Sequence, residues 1–584
     1  MAFLSQAQRS APVPAVAIKA ESQFPLSYGQ QALWYVYQNA PDSVAYNMTL
    51  PLHIRDDLDV SVLRRSLQVL VDRHAALRTT LASHEGVPVQ DIHDQLPFAF
   101  EEISAANCTW EERIEQAAQA YQRPFDLERG PVLRVTLLTA NPQDHILMLT
   151  MHHLSGDGIS LGILMEELLA LYAAEWQRQP VVLSPITVTY ADFVRWEAEL
   201  LASEAGERLA SYWRQQLAGD IPVLHFPTDR PRPPVQTYNG ASHPFELTPE
   251  WTRQLRALAQ AEQTTLFALL LAAYQVLLHR YTGEVKIWVG SPTGSGRNQP
   301  EFAGMVGYLV NPLVFRGSFS RDAALSFRDF LRQMRQTVLS TIEHQAYPFP
   351  LLVKQLQPAR DSSYTPLFQV MFVLEGATEK TPAAQEGELS VSTLQLAQLE
   401  GQFDLNLSMA DGEHLTGFLR YNADLFEVDT IARIVGHLKQ LLAGIVANPD
   451  CDVQALPLLT EAERQQWQMM VHNPLAPDMP LTDDLLHTLF MTQVEAHADA
   501  PAVIAPHRTL TYRELEQQAT QVGHWLQHGG AVPNTLVAVV MEKGWEQIVA
   551  VMGILMSGVA YLPIDPNLPT ERQHYLLDQV ADSH

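Results

Sequence analysis

The sequence predicts an α/β protein divided into several domains, and three observations carry that reading. The chain has 584 residues, more than one core of ordinary size absorbs. Residues 133–139 and 146–151 are short apolar runs, the pattern of buried strands. Between and beyond them, apolar residues recur at helical spacing, as in Val60, Leu63, Leu67, Leu70 and Val71.

Taken in order, residues 1–22 are rich in Ala, Pro and Ser and read as a flexible leader or docking linker. Ser27 stands where it would cap a helix running from Tyr28 through Tyr37. A helical pattern covers 58–81, the two strands follow, and long helical patterns cover 159–176 and 191–217. Residues 218–240 are proline-rich, lack periodicity and read as a crossover between two lobes. A second set of helices and strands fills 241–455. The 13-residue apolar stretch Leu266–Leu278 contains Gln275 and is too short to span a membrane, so it reads as a buried helix. A loop-like break centred on 473–484 precedes a third unit, with a helix at 485–497 and a strand at 536–541. The expected divisions are a leader at 1–22, a first lobe at 23–217, a second lobe at 218–455, a linker at 456–484 and a partial domain at 485–584.

Composition narrows the function. The formal net charge is -27, a surface that repels phosphate backbones and argues against a nucleic-acid partner. Cys108 and Cys451 are the two cysteines and form no CxxC, so neither a disulfide framework nor a zinc site is expected. A reducing cytoplasm fits. No secretory signal opens the chain, and no membrane association is expected.

The most informative segment is Met151-His152-His153-Leu154-Ser155-Gly156-Asp157-Gly158. A buried strand ends at two histidines, where a fixed backbone meets a side chain free to face a cavity. His153 is suited to accept a proton near neutral pH or to hydrogen-bond a reacting group. Asp157-Gly158 suits a tight turn, with glycine able to take positive φ. No third ligand nearby supports a metal site. On chemistry alone, such a His-His pair is more often structural or surface-exposed than catalytic, and its neighbours decide.

With those neighbours, the segment resembles the HHxxxDG core of nonribosomal peptide synthetase condensation domains. Ser27 through Trp34 resembles the family's opening motif and Arg73-His74-Ala75-Ala76-Leu77-Arg78 its second. HHLSGDG at 152–158 is the third, and Tyr190 through Trp196 the fourth. Gly290-Ser291-Pro292-Thr293 with Arg297, Glu301 and Gly307 through Asn311 resembles the fifth. His344 through Phe349 resembles the sixth, and Arg360-Asp361 with Pro366 through Val370 the last. One residue more than the family commonly has stands within Thr293–Gly296. Leu510 through Leu515 and Met556 through Pro566 resemble the first two motifs of an adenylation domain. Its phosphate-binding loop would come next, so its ATP site is incomplete in this chain.

The resemblance implies two chloramphenicol-acetyltransferase-like α/β lobes in a V-shaped pseudo-dimer with a tunnel between them. It implies amide formation between a donor acyl or peptidyl thioester and an acceptor aminoacyl thioester. Both arrive on 4′-phosphopantetheine arms of carrier proteins, and no cofactor is held tightly. His153 would take the amine's proton or hold the amine in line. His152 would pack beneath the loop, and Asp157 would pair with Arg297. Gly158 would permit a close approach of the arm or the loop turn. Ser155 and Asn311 are candidates for the tunnel or the bridge between lobes. The short leader suggests that the donor carrier lies on another polypeptide, with the acceptor carrier downstream and a monomer as the default. Two alternatives stand beside this: a noncatalytic condensation-like platform that recruits partner enzymes, and an epimerisation-type relative.

Overall fold

A strand with two apolar faces belongs in the middle of a covered sheet, and Asp144–His152 is such a strand: every residue after Asp144 is buried. In the computed structural model, which describes residues 23–320, 323–359, 361–376, 389–394, 396, 401–471, 484–533 and 535–581, it lies at the centre of a five-stranded sheet. Antiparallel neighbours Asn47–Ile54 and Leu133–Asn141 flank it. Ala99–Ser104 joins beyond Leu133–Asn141 in parallel. The leader 1–22, Arg360 and residues 472–483 of the expected linker lie outside the described residues. Residues up to Trp467 form one compact unit and Gln468–His584 a second.

The fifth strand of that sheet comes from far along the chain. Val391–Thr393 pairs antiparallel with Leu52–Ile54. It closes an edge that would otherwise present unpaired backbone groups, and it ties the second lobe's chain to the first lobe's sheet. Helices Val60–Arg73 and Gly158–Trp176 share a core with this sheet, through Leu63, Leu67, Leu70, Leu164 and Leu168. The helix expected over 58–81 ends at Arg73. His74 is extended, and Thr79–His84 is a strand paired with Val87–Ile92.

The second lobe is built on a six-stranded sheet ordered Asn311–Ser318, Lys286–Thr293, Val370–Gly376, Leu405–Asp411, Leu415–Asn422, Gly240–Glu246. Leu266–Thr282 is its buried helix, capped by Thr265 and ended by Gly283 at φ 68. Val428–Ala447 is long and apolar enough to cross a membrane, but its Ile431, Ile434, Leu438, Leu441 and Ile445 face lies in this lobe's core.

Two expected boundaries shift. The pattern at 191–217 is two helices, Tyr190–Ala202 and Glu204–Gln216, because Ser203 leaves the first and caps the second. Trp213 on the second helix is 1% exposed within the second lobe's core and donates Nε1–H to the His344 carbonyl at 3.0 Å. The lobe boundary expected at 217 therefore falls inside second-lobe packing. Within the expected linker, Thr460 and Glu463 cap each other at the start of helix Glu461–Val471. His437 then holds Glu463 at 3.0 Å, with the Tyr281 hydroxyl 2.6 Å from its other nitrogen. In the second unit, helix Leu486–His497 and strand Leu536–Val540 form as expected, the strand pairing in parallel with Ala560–Ile564.

One buried acid has no cation partner among the described residues. Glu197 is 8% exposed and accepts the Tyr28 N–H at 3.0 Å, and burial pushes its carboxyl up to about 7 from 4.5. Between those values the unfolded chain releases a proton that the folded chain keeps, so this group's contribution to stability falls as pH rises from about 4.5 to 7. Denaturant unfolding of wild type and Glu197→Gln at pH 5 and pH 8 checks this. The variant should gain on wild type at the higher pH.

Candidate active site

The site grows from the end of the central strand. At Asn47↔His152 the sheet pairing stops, and the His153 N–H goes to the Tyr46 carbonyl at 2.8 Å. A short 3-10 turn, His153–Ser155, follows, and Asp157 caps helix Gly158–Trp176. A few residues thus turn a strand into a helix, with both histidines fixed at the junction.

The two histidines differ in what binds their rings. His152 is 5% exposed, and its Nδ1 accepts the Leu154 N–H at 3.1 Å. Its proton therefore sits on Nε2. Burial, with the neighbouring His153, pushes its pKa down to about 3. Its ring lies among Tyr37 and Tyr46, at 6.4 Å from each. His153 reverses the arrangement. Its Nδ1 is 2.8 Å from the Gly156 carbonyl, which only accepts, so Nδ1 carries the proton. Burial lowers its pKa below the ordinary histidine value, against the pull of the Gly156 carbonyl and Asp157. His153 is neutral at pH 7 with an unprotonated Nε2. Its ring packs edge-on to Tyr308 at 5.1 Å.

Asp157 is 1% exposed and surrounded by donors. Its carboxylate accepts the Ser160 N–H and hydroxyl at 2.8 Å each, Arg297 Nη2 at 2.6 Å and the Leu309 N–H at 3.3 Å. Arg297 also donates to the Ala303 and Met305 carbonyls at 2.9 Å each. The helix start is thereby joined to the segment 297–309. Asp157 is spent on this network. Gly158 does not form the tight turn expected of it. It is the first residue of a helix, has no positive φ, and is exposed with open space where a Cβ would stand. The aspartate's capping bond, rather than glycine freedom, makes the turn.

The remaining expected residues separate. Ser155 is buried and lines a pocket with Gln30, Gln90 and Tyr190. Asn311 donates to the Gln345 and Tyr347 carbonyls and accepts the Phe349 N–H, each at 2.8 Å. All three bonds stay within the second lobe, so its amide fastens the sixth motif and does not bridge lobes. Arg78 donates to the Val71, Asp72, His93 and Asp94 carbonyls, and Arg73 to Glu167 and the Ser184 carbonyl, so both hold loops.

Several supports escape a reading of the sequence. Ser160, fully buried, links Asp157, Arg297 and both backbone groups of Gly307. The signal for it is its place three residues after a capping aspartate. Gln30 donates to the Leu154 carbonyl at 3.2 Å, which connects the opening motif to the histidine turn. Gly29 is needed for a close approach, since a Cβ there would lie 2.7 Å from the Tyr308 ring. Tyr190 donates to the Tyr308 carbonyl at 2.7 Å and meets the Ser27 hydroxyl at 2.9 Å. Among the described residues no cluster suited to a metal ion occurs.

Comparisons with known proteins agree on the family this geometry resembles. Residues 20–467 match the condensation domain family, and residues 490–583 match the AMP-binding enzyme family. The chain is 38% identical over 571 residues to a linear gramicidin synthase of Brevibacillus parabrevis, covering 97% of this chain and 7% of that protein. It is 35% identical over 584 residues to the phosphinothricin tripeptide synthetase PhsC of Streptomyces viridochromogenes, covering 98% of this chain and 53% of that protein. The chain thus spans a small part of the gramicidin synthase and about half of PhsC. Among solved structures, holo-AB3403, a four-domain nonribosomal peptide synthetase bound to AMP and glycine, superposes with a TM-score of 0.79 at 23% identity. That match covers 99% of this chain and 44% of that one. The condensation domain of the monacolin K polyketide synthase MokA superposes with a TM-score of 0.65 at 22% identity, covering 74% and 99%.

The Asp157–Arg297 pair gives a stability test. Removing either partner alone strands a buried charge, at a cost of about 3–5 kcal/mol. Asp157→Ala and Arg297→Ala should each unfold at much lower denaturant. The double variant should be less destabilised than the two losses added, and equilibrium unfolding of all four proteins reads that coupling.

Proposed function

This chain belongs to the condensation domain family of nonribosomal peptide synthetases, and on that premise we propose that residues 23–467 form an amide bond between two carrier-bound thioesters. The donor is an acyl or peptidyl thioester and the acceptor an aminoacyl thioester, each on a phosphopantetheine arm. The amine attacks the donor carbonyl, the C–N bond forms and the C–S bond breaks. One amine proton ends on the departing thiolate, directly or by way of His153.

The observation that carries this reading is the free Nε2 of His153. The Gly156 carbonyl occupies Nδ1, and burial keeps the ring neutral. Nε2 is then an acceptor for an amine N–H. That suits it either to hold the nucleophile in line or to receive its proton as the bond forms. A placed base contributes roughly 10²–10⁴-fold, while holding two reactants together contributes effective molarities on the order of 10⁵–10⁸ M. A thioester is already activated, so alignment is the larger demand. A platform that only recruits enzymes has no use for a neutral histidine with a free nitrogen. The adenylation motifs at 510–515 and 556–566 include no phosphate-binding loop, and amino-acid activation is no part of this proposal.

The direct experiment supplies donor and acceptor thioesters on separate carrier proteins and detects the joined product by mass spectrometry. Wild type should form it, and His153→Ala, with an unchanged melting curve, should lose on the order of 10²-fold in rate. Full activity in the folded variant would contradict the role proposed for Nε2. Gly158→Ala provides a second check. The open space at that Cβ predicts an unchanged melting temperature. Passage of a pantetheine arm past the helix start predicts a raised KM for the carrier-bound substrate.

A further inference from the structure

Beside the two histidines stand hydroxyl groups that the network above leaves unused. Tyr46 gives its backbone carbonyl to His153, and its ring lies 6.4 Å from that of His152. Tyr238 reaches the same place from the crossover between lobes. Its carbonyl accepts the Gly401 N–H at 2.9 Å, and the next residue, Gln402, donates its side-chain amide to the carbonyl of Ala45, which precedes Tyr46. The two tyrosines are therefore brought together by segments of both lobes. Neither hydroxyl makes a hydrogen bond to any described residue, although both side chains are half-buried.

The backbone at Tyr238 is unusual. It has φ 59, the left-handed region that an aromatic residue rarely adopts. It is held there from both sides. Gln236 N–H goes to the Ser362 carbonyl, Ala423 N–H to the Asn239 carbonyl at 2.9 Å, and Asn239 Nδ2 to Asp424 at 3.0 Å. Glycine would relieve the strain at no steric cost, yet the chain keeps a tyrosine there. Strained residues persist where the surroundings over-determine them, and they cluster at functional sites. Burial first, then Tyr238 and Tyr308, raises the pKa of the Tyr46 hydroxyl, and burial does the same for Tyr238, so both remain donors at any working pH.

We propose that the hydroxyls of Tyr46 and Tyr238 are binding groups that donate hydrogen bonds to carbonyl oxygens of the donor acyl chain beside His153, and so help select which donor the site accepts. The proposal rests on the amide-forming reading. An apolar wall would hold an acyl chain without fixing its rotation. Two hydroxyl donors, Tyr46 for the first carbonyl and Tyr238 for the second, favour a donor with two carbonyls, and a site built to hydrogen-bond a group discriminates strongly against analogues lacking it.

The test uses the full chain and N-acetylglycyl-aminopantetheine, an amide that mimics a donor thioester and does not react. Equilibrium binding is measured for wild type, Tyr46→Phe, Tyr238→Phe and His153→Ala, with melting curves for each. The expected result is a Kd raised about 10-fold in each tyrosine variant with melting unchanged, and a Kd close to wild type in His153→Ala. An acyl probe lacking the second carbonyl should bind wild type and Tyr238→Phe alike. Unchanged affinity in both tyrosine variants, or no binding to wild type, overturns the proposal. A condensation assay run in parallel separates the two readings. Binding that depends on the tyrosines, without any product, contradicts amide formation and leaves the donor site standing.

Discussion

The buried pair of Asp157 and Arg297 is the contact on which the rest of the site depends. The two residues are 140 positions apart, and their side chains are 1% and 7% exposed. A charge so deep persists only when every oxygen and nitrogen finds a partner. Here Asp157 has the Ser160 hydroxyl and N–H, the Leu309 N–H and the guanidinium, while Arg297 has two further carbonyls. This network fixes where the helix after the histidines begins. The helix start fixes Gly156, and the Gly156 carbonyl fixes the His153 ring. An aspartate close in sequence to the two histidines thus has its carboxylate taken up by the partners that set the turn's geometry.

The same chain of contacts explains how neighbouring histidines come to differ. Their sequence neighbourhoods are nearly the same, and both are desolvated. What separates them is one partner each. A backbone N–H occupies Nδ1 of His152, and a backbone carbonyl occupies Nδ1 of His153. One ring turns its acceptor inward to the loop, and the other keeps its acceptor free. The opening motif takes part from a distance. Gln30 holds the carbonyl of Leu154, and Gly29 leaves room for the Tyr308 ring that packs on His153.

Much of this is legible in the sequence because it is local. Ser27 caps its helix in a box with Gln30, and the strand ending at His152 follows from an unbroken apolar run. The ordered motifs point to the family and place Arg297 and Asp157 in one site. What escapes is long-range or lacks a pattern. Val391–Thr393 carries no periodicity, and only the edge of Asn47–Ile54, hundreds of positions earlier, makes it a strand. Trp213 continues a helical pattern from the first lobe, but its indole belongs to the second lobe's core. Gly158 reads as a turn residue because Asp-Gly commonly is one, whereas the capping bond to Ser160 already starts a helix. The Thr460–Glu463 capping box is visible in the sequence, yet the nearby proline-rich break draws the whole stretch into a linker.

The account turns on the protonation state of one ring, and nitrogen-15 NMR of histidine-labelled protein measures it directly. The His153 signals are assigned by their loss in His153→Gln, and spectra are followed from pH 5 to 8. The account predicts a neutral ring at pH 7, with the proton on Nδ1 and an unprotonated Nε2. An imidazolium at pH 7, or a neutral ring with its proton on Nε2, would contradict it, because Nε2 would then have no lone pair to offer an amine.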